Sequence, residues 1–380
     1  MKLLCYVPQM AAYGGIEQHV CGLVSHLARQ GHEVRLITTS NSLGPDLRGT
    51  LLDAGVSLRE YNRARGRASR LGKLAWLARE TALARLRRWD LIYTNGQSGL
   101  AALPWLAGQS DTRVVHHHHT AADESEQRTW SPSFRRVLRR ASEVVGCSVA
   151  TRDAIGRAVG RDDIRFLPYL TPALFEASEI TNRRPDSGAP INIGFMGRLV
   201  PEKGLARLRS LAERVGEADG VAWHIHGAGP LFPPEYFAEV EGLHYHGRFN
   251  GIAERRQILQ HLDALVLFST HNEGMPLSLI EGMSAGLPWM ATAQGGTAEI
   301  AVSPADCRVL SREATLDEQE AAVREFAAAI RAGETSRTRQ RAAYDLRFAP
   351  AQVAADWEHY FLTAAVSPGV RLRPLAPVSR

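Results

Sequence analysis

Two stretches of this chain repeat one pattern, in which a short apolar run is followed by a helical pattern and then by a second apolar run. In the first stretch, strands are predicted at 2–7 and 33–38, with a one-sided apolar helix at 14–29 between them. Further strands are predicted at 91–94, 113–118 and 143–147. Strand–helix–strand alternation predicts a parallel sheet with helices on both faces.

Residues 168–190 break this alternation with four prolines: Pro168, Pro172, Pro185 and Pro190. The pattern then restarts with a strand at 192–196, a helix at 204–215 and a strand at 221–226. A chain of 380 residues is also too long for one typical core. We therefore predict an α/β fold of two Rossmann-like, doubly wound parallel-sheet domains. The predicted segments are a first domain at 1–170, a linker at 171–190, a second domain at 191–349, a helix at 350–365 and a loose basic tail at 366–380.

Composition excludes several classes of protein. Hydrophobic residues make up 44% and charged residues 22%, which is typical of globular chains and not of disordered ones. The four cysteines form no CxxC pair, which argues against a disulfide framework or a zinc site and fits a reducing compartment. The apolar run before Pro8 is short for a signal peptide, and no apolar stretch approaches the roughly 20 residues of a transmembrane helix. We expect a cytoplasmic protein.

The net charge of +5 is concentrated in two arginine-rich segments of the first half. The basic residues are Arg63, Arg65, Arg67, Arg70, Lys73, Arg79, Arg85, Arg87 and Arg88, followed by Arg135, Arg136, Arg139 and Arg140. They are either solvated helix faces or a surface for an anionic partner, such as a lipid-linked phosphate or the inner face of the plasma membrane. In the second case, we expect apolar neighbours to insert into the lipid: Leu74, Trp76, Leu77, Trp130 and Phe134. Few aromatic residues interleave with the arginines, so nucleic acid is not an expected partner.

The segment HNEGMPLSLIEGMSAGLP (271–288) contains the strongest chemical signal. A predicted strand at 264–268 leads into a loop, and Pro276 is the expected first residue of the following helix. The free N–H groups of a helix N-terminus at the carboxyl edge of a sheet suit a diphosphate. Glu273 and Glu281 could bracket a ligand on the order of 10 Å long, with Glu281 at a ribose and Glu273 at a sugar. The alternative is that both are ordinary exposed carboxylates.

The segment FMGRLVPEKG (195–204) contains the second signal. Gly197 lets the backbone turn sharply at the end of a strand. Arg198 and Lys203 then follow in one loop, where they could hold phosphate oxygens and neutralise a departing diphosphate. The segment HIHGAGP (224–230) lacks the third glycine of a dinucleotide motif, and we expect it to pack beside a nucleotide.

These segments resemble the motifs of retaining glycosyltransferase family 4, which has the GT-B fold. EGMPLSLIE resembles the family's E-x7-E motif, GRLVPEKG its phosphate loop, GGIEQHV its N-terminal glycine turn, and GLPWMATAQGGTAEI the segment that follows. The resemblance implies that Arg198 and Lys203 bind the donor diphosphate, Glu281 the ribose and Glu273 the donor sugar. It also implies that the final helix crosses back onto the first domain. The other expected donor-site residues are Gly14, Gly15, Gly197, Gly274, Met275, Pro276 and Leu277, of which Gly14 also faces the acceptor.

Four consecutive histidines, His116–His119, end the predicted strand that begins at Arg113. The family has a strand that ends in histidine, and we match that histidine to His119 as a catalytic residue. Alternation places His117 on the same face, as an acceptor-side candidate, and the other two histidines on the opposite face. A metal-binding cluster is the rival interpretation.

Together these residues predict a glycosyltransferase that moves a sugar from a UDP- or GDP-sugar to a glycan or lipid-linked acceptor, as in polysaccharide synthesis. The family resemblance implies that the transfer retains the configuration of the sugar. The chain contains no Asp-x-Asp, so we expect neither a metal nor a cofactor, and positive side chains take that role. No evident nucleophile occurs in the first domain, which favours attack on the same face of the sugar. One rival is a nucleotide-sugar 2-epimerase or a phosphorylase on this fold. The other is a nucleotide-sugar-binding scaffold without turnover.

Overall fold

The computed structural model describes residues 1–10, 14–39, 43–61 and 70–363. The chain divides into two compact units. Unit 1 combines Met1–Pro172 with the C-terminal segment that begins at Pro350, and unit 2 is Ala173–Ala349. In its described part, each unit has one all-parallel sheet with helices, which confirms the predicted pair of Rossmann-like domains.

Unit 1 contains a seven-stranded sheet in the order β3-β2-β1-β4-β5-β6-β7. Its strands are β1 (Lys2–Tyr6), β2 (Glu33–Thr38), β3 (Ser57–Glu60), β4 (Leu91–Asn95), β5 (Arg113–His118), β6 (Glu143–Gly146) and β7 (Arg165–Phe166). Its first helices are α1 (Gly15–Arg29), α2 (Pro45–Asp53), α3 (Arg70–Ala84), α4 (Glu124–Thr129), α5 (Pro132–Arg140) and α6 (Val149–Val159), with a 3₁₀ segment at Gly99–Ala107. Apart from Lys2, the central strands β1 and β4 are buried throughout and mostly apolar, as expected for strands covered on both faces.

Unit 2 contains a six-stranded sheet in the order β10-β9-β8-β11-β12-β13. Its strands are β8 (Ile191–Met196), β9 (Val221–His226), β10 (Leu243–Gly247), β11 (Ala264–Leu267), β12 (Trp289–Thr292) and β13 (Cys307–Leu310). Its helices are α7 (Leu205–Arg214), α8 (Glu235–Ala238), α9 (Gly251–His261), α10 (Leu277–Ser284), α11 (Leu316–Ala332) and α12 (Arg337–Phe348). Short 3₁₀ segments lie at Ala177–Glu179, Pro201–Lys203, Glu217–Asp219 and Gly296–Ile300.

The last described helix, α13 (Pro350–Thr363), packs on unit 1. Its apolar residues recur at helical spacing and join the core of that unit: Val353, Ala354, Trp357, Tyr360 and Phe361. The indole of Trp357 donates to the carbonyl of Pro168 at 2.8 Å. The Glu358 carboxylate contacts His26 at 2.9 Å and His32 at 3.2 Å. These contacts hold the helix beside α1 and the segment that follows β7.

In each sheet, the strand order reverses at one place, between β1 and β4 in unit 1 and between β8 and β11 in unit 2. Ligands of doubly wound sheets bind at the carboxyl ends of the strands that flank this switch point. In unit 2 these ends lead into the two loops for which the sequence predicts ligand binding, one containing Lys203 and the other Glu273.

Several predicted strands have the observed bounds, including β2, β5 and β9, and the others that were predicted agree within one residue at either end. Strands β3, β7, β10 and β13 escape prediction, because each has at most five residues and includes polar or charged side chains. The predicted basic tail lies outside the described residues, as do Arg63, Arg65 and Arg67. Within the part of the chain that the structure describes, no helix has the length and apolar content needed to cross a membrane.

Candidate active site

The carboxyl edge of unit 2 brings the two marked loops together. Gly204, which ends the loop after β8, has a φ of +72°, and a Cβ atom there would lie 1.9 Å from the carbonyl oxygen of Phe268. Only glycine combines this left-handed backbone with so close an approach to the end of β11. The backbone N–H of Thr270 also donates to the carbonyl of Glu202 at 2.9 Å. The loop that contains Lys203 is therefore held beside the loop that contains Glu273.

Lys203 and Glu273 form an ion pair in this arrangement. The Lys203 Nζ lies 2.8 Å from each carboxylate oxygen of Glu273. The Ser269 hydroxyl donates to the same carboxylate at 2.5 Å. Both charged side chains are partly exposed, at 21% for Lys203 and 15% for Glu273, so the pair faces a site that a ligand can reach. The sequence does not indicate Ser269 as a partner.

Arg198 provides a second cation in the same loop. Its side chain is exposed, and its guanidinium makes no hydrogen bond or ion pair with any described residue. Gly197, Arg198 and Leu199 lie against the HGAGP segment, because the Leu199 N–H donates to the Ala228 carbonyl at 3.1 Å. A Cβ atom at Gly229 would lie 1.7 Å from the Leu199 carbonyl oxygen, which explains the glycine in that segment. The predicted packing of HGAGP beside a nucleotide stays a prediction.

Helix α10 begins one residue later than expected. Pro276 is the N-cap and not the first helical residue, because its ψ of 98° lies outside the helical region. No side chain caps this end. The Leu279 N–H donates to the Pro276 carbonyl at 3.2 Å, while the N–H groups of the first two helical residues precede any intrahelical acceptor. Gly274 and the buried Met275 lie in the turn that leads into the helix, and Leu277 is its first residue. The Glu273 backbone pairs with Gly295, which fixes the turn against the loop after β12.

Glu281 lies in an ion pair of its own. Arg255 of α9 donates to its carboxylate at 2.5 Å, and the two side chains are 8% and 11% exposed. Burial raises the pKa of Glu281 above its ordinary value, and the charge of Arg255 opposes that shift. Sequence reasoning missed Arg255, since neither its spacing nor its neighbours distinguish it from other helical arginines. The predicted ribose contact of Glu281 stays a prediction.

In unit 1, the histidines at the end of β5 divide between the two faces of the sheet, as alternation predicts. The ring centroids of His117 and His119 are 4.0 Å apart on one face. On the other face, His116 and His118 each pack against Phe134. The His118 ring pairs with Glu126 at 2.8 Å. Among the described residues, no group of three or more ligating side chains could hold a metal ion, so the metal-binding rival finds no support.

His119 is held by a network of polar side chains. Its Nε2 lies 3.1 Å from the Asn95 amide nitrogen, and its Nδ1 lies 3.1 Å from the Tyr169 hydroxyl. That hydroxyl donates in turn to the His119 carbonyl at 2.9 Å. The arrangement fits a neutral ring with the proton on Nδ1. Burial and the neighbouring His19 lower the pKa of His119 well below its ordinary value, so the ring is neutral at pH 7.

His19 of α1 completes this cluster, and sequence reasoning missed it. The ring is fully buried and lies 5.1 Å from the rings of both His117 and Trp357. Its Nδ1 accepts from the Leu170 N–H at 2.9 Å, and burial lowers its pKa to about 3. The motif GGIEQHV contains His19, but a histidine on the apolar face of a helix gives no signal of its own in the sequence.

Gly14 and Gly15 lie at the start of α1. Gly14 is the N-cap with a φ of −120°, and Gly15 is the first helical residue. A Cβ atom at Gly14 would lie 1.9 Å from a carboxylate oxygen of Glu17. The glycine turn therefore leaves room for the buried carboxylate of the first helical turn.

The predicted lipid-inserting residues are largely wrong. Leu77, Trp130 and Phe134 are 1%, 5% and 0% exposed, because they form the cores beneath α3 and α5. Trp76 packs against the same core, and only Leu74 is exposed. Three of the arginines are paired: Arg79 with Glu80, Arg87 with Glu33, and Arg88 with Asp111.

Comparisons with known proteins agree with this architecture. A family model described as a glycosyl transferase 4-like domain matches residues 14–169, and one described as glycosyl transferases group 1 matches residues 190–332. No curated protein sequence matches the chain.

Solved structures with the same fold share little sequence with this chain. HepE of Anabaena in complex with UDP has a TM-score of 0.72 and 18% identity, with 95% of this chain and 100% of that chain covered. A glycosyltransferase from Rickettsia africae has a TM-score of 0.74 and 14% identity, with coverages of 95% and 97%. Sucrose-phosphate synthase from Thermosynechococcus elongatus has a TM-score of 0.71 and 16% identity, with coverages of 96% and 100%.

The two family models together span most of both units. The glycine motif lies at the start of α1 in unit 1, and the phosphate-loop and E-x7-E motifs follow β8 and β11 in unit 2. The chain belongs to the glycosyltransferases of the family 4 type, which have the GT-B fold.

Proposed function

We propose that this glycosyltransferase transfers a sugar from a UDP- or GDP-sugar to a glycan or lipid-linked acceptor in the cytoplasm, with retention of configuration and without a metal. The structures of HepE with UDP and with UDP-glucose support a nucleotide-sugar donor. The acceptor side is assigned to unit 1, where Gly14, His117 and His119 lie.

The main support for this proposal is the group of cations at the carboxyl edge of the unit 2 sheet. Arg198 is an exposed and unpaired cation among the described residues, and Lys203 shares its loop. An ammonium has three donors, and two of them are directed at Glu273, so one remains for a phosphate oxygen. The N-terminus of α10 adds N–H donors and a positive dipole end. These groups suit a diphosphate whose negative charge grows as the sugar departs.

The proposed reaction needs no protein nucleophile. The acceptor oxygen bonds to the anomeric carbon as the bond from that carbon to the diphosphate oxygen breaks, and the acceptor proton passes to the departing diphosphate. Glu273, which is fixed by Lys203 and Ser269, accepts hydrogen bonds from the donor sugar. Glu281 accepts from the ribose, and His119 orients the sugar or the acceptor.

The two rival functions predict different products. A 2-epimerase releases an epimerised sugar, a phosphorylase consumes inorganic phosphate, and a scaffold releases nothing. The chain keeps both cations and both glutamates of the family motifs, which favours turnover over a scaffold.

To test this proposal, the protein is incubated with a panel of UDP- and GDP-sugars and candidate acceptors in the presence of excess chelator, and the stability of the fold and the products are measured. A donor that binds should stabilise the fold, by about 2.7 kcal/mol at 100 times its Kd. We expect free nucleoside diphosphate and a glycoside of retained configuration in equal amounts. Loss of activity in chelator with rescue by magnesium would overturn the metal-independent reaction, and an epimer or a sugar phosphate would identify a rival.

A further inference from the structure

Helix α3 of unit 1 is apolar on its outer face as well as on its inner face. Leu77 and Ala84 are buried against the sheet. On the opposite side, one exposed stripe follows helical spacing and consists of Leu71, Leu74, Ala75, Ala78 and Ala82. Leu71 is 76% exposed, and Leu86, just beyond the helix end, is 82% exposed. A helix on the surface of a soluble domain normally has a polar outer face.

The neighbouring 3₁₀ segment Gly99–Ala107 extends this apolar surface. It packs against α3, and the two share the core beneath them. Its outer residues Leu100 and Leu106 are 47% and 59% exposed. We call the exposed leucines of these two elements the leucine face: Leu71, Leu74, Leu83, Leu86, Leu100 and Leu106. Large exposed apolar side chains on two neighbouring elements are typical of a site of contact with a protein or a membrane.

Exposed cations flank the leucine face. Arg85 lies next to Leu86, and helix α5, which packs on the same 3₁₀ segment, exposes Arg136, Arg139 and Arg140. None of these four guanidinium groups has a hydrogen-bond or ion-pair partner among the described residues. The apolar face of α5 is buried, so this helix offers only charge to a partner.

We propose that the leucine face and these arginines dock unit 1 on an anionic membrane surface. Leucines that insert shallowly between lipids, with arginines at the level of anionic headgroups, match the requirements of interfacial binding. A second copy of the chain is a poorer occupant, because a two-fold interface places the same patch of both copies face to face and brings the arginines together. The docking is independent of the donor site in unit 2.

The test measures flotation of the full chain, without donor or acceptor, on vesicles of phosphatidylcholine alone or with phosphatidylglycerol. Two triple variants each remove one part of the surface: L71Q/L86Q/L106Q and R136Q/R139Q/R140Q. The matched control is L231Q/L346Q, which replaces two leucines of unit 2 that are 66% and 73% exposed. All of these positions are on the surface, so the variants should fold.

We expect binding to the anionic vesicles, at least tenfold weaker binding by each triple variant, and wild-type binding by the control. Each basic residue near an anionic surface contributes roughly fivefold, so the arginine variant should lose the most at low salt. Equal binding to both kinds of vesicle, or a leucine variant that binds as the control does, would overturn the proposal. Light scattering that shows a dimer which only the leucine variant disrupts would identify a second copy as the occupant instead.

Discussion

Lys203 donates to both carboxylate oxygens of Glu273 at 2.8 Å, although 70 residues of chain separate them. The pair joins the loop after β8 to the loop after β11 across the switch point of the sheet. It also links the residue assigned to the diphosphate with the residue assigned to the sugar. Glu273 and a phosphate group of the donor would therefore compete for the positive charge of Lys203.

The first prediction concerns this competition. Glu273→Gln removes a negative charge beside Lys203, so the affinity for nucleoside diphosphate should stay the same or increase. Turnover should fall at least tenfold, since the sugar loses its acceptor group. Steady-state kinetics and nucleotide titration measure the two effects. A variant that loses nucleotide affinity without losing turnover would show that Glu273 serves the diphosphate.

The second prediction concerns the pair of Arg255 and Glu281. Arg255→Met leaves a carboxylate in a largely buried site without its partner, which should cost about 3 kcal/mol of unfolding free energy. Glu281→Gln keeps the shape and should cost less, while it raises the donor KM. Urea unfolding measures the stabilities. If Arg255→Met unfolds at the wild-type urea concentration, the pair does not stabilise α9 against α10.

The third prediction concerns the Tyr169 hydroxyl, which links the ring and the carbonyl of His119. Tyr169→Phe should lower kcat and leave nucleotide affinity unchanged, because the diphosphate is assigned to unit 2. The control is Tyr344→Phe, which removes a buried hydroxyl with no partner among the described residues. Equal kinetics in both variants would leave His119 without a role that depends on its orientation.

The fourth prediction concerns the histidines of unit 2. Burial, with neighbouring histidines His244, His246 and His261, lowers the pKa of His224 to about 3. Burial also lowers the pKa of His226 to about 3, again beside His246 and His261. One acidic group at this cluster is Glu217, whose carboxylate lies 3.5 Å from the His244 ring.

These folded-state pKa values lie below the unfolded value of about 6.5, so the unfolded chain takes up protons first as the pH falls. Stability should be full above pH 6.5 and should decrease below it, by roughly 1–2 kcal/mol per buried histidine between pH 7 and pH 5. His226→Phe should reduce this loss, and the exposed control His359→Phe should not. Urea unfolding at pH 7 and pH 5 measures the loss of stability in the wild type and in the two variants. Equal losses in all three proteins would contradict the assignment of this pH dependence to His226.

The sequence was sufficient for those parts of the site that lie in continuous motifs. Lys203, Glu273 and Gly204 occur in short segments whose spacing places them at strand ends, and alternation along β5 brings His117 next to His119. Arg255, Tyr169 and His19 reach the same sites from distant parts of the chain, and tertiary packing alone selects them. The prediction of lipid-inserting residues fails for a similar reason. The arginines of α5 indicate that one face of the helix is exposed, but they do not indicate which apolar neighbours are buried on its other face.

The most direct test of the diphosphate site is calorimetric titration of UDP and GDP into the wild type, Arg198→Ala, Lys203→Ala and the control Arg184→Ala. Arg184 is an exposed cation beside Gly333, at the C-terminus of α11. We predict that the wild type binds one of the two nucleotides. Loss of one charge-assisted phosphate contact should weaken that binding by about 1.5–3 kcal/mol in each loop variant and leave the control unchanged. Wild-type protein that binds neither nucleotide, or equal affinity in all four proteins, would contradict this prediction.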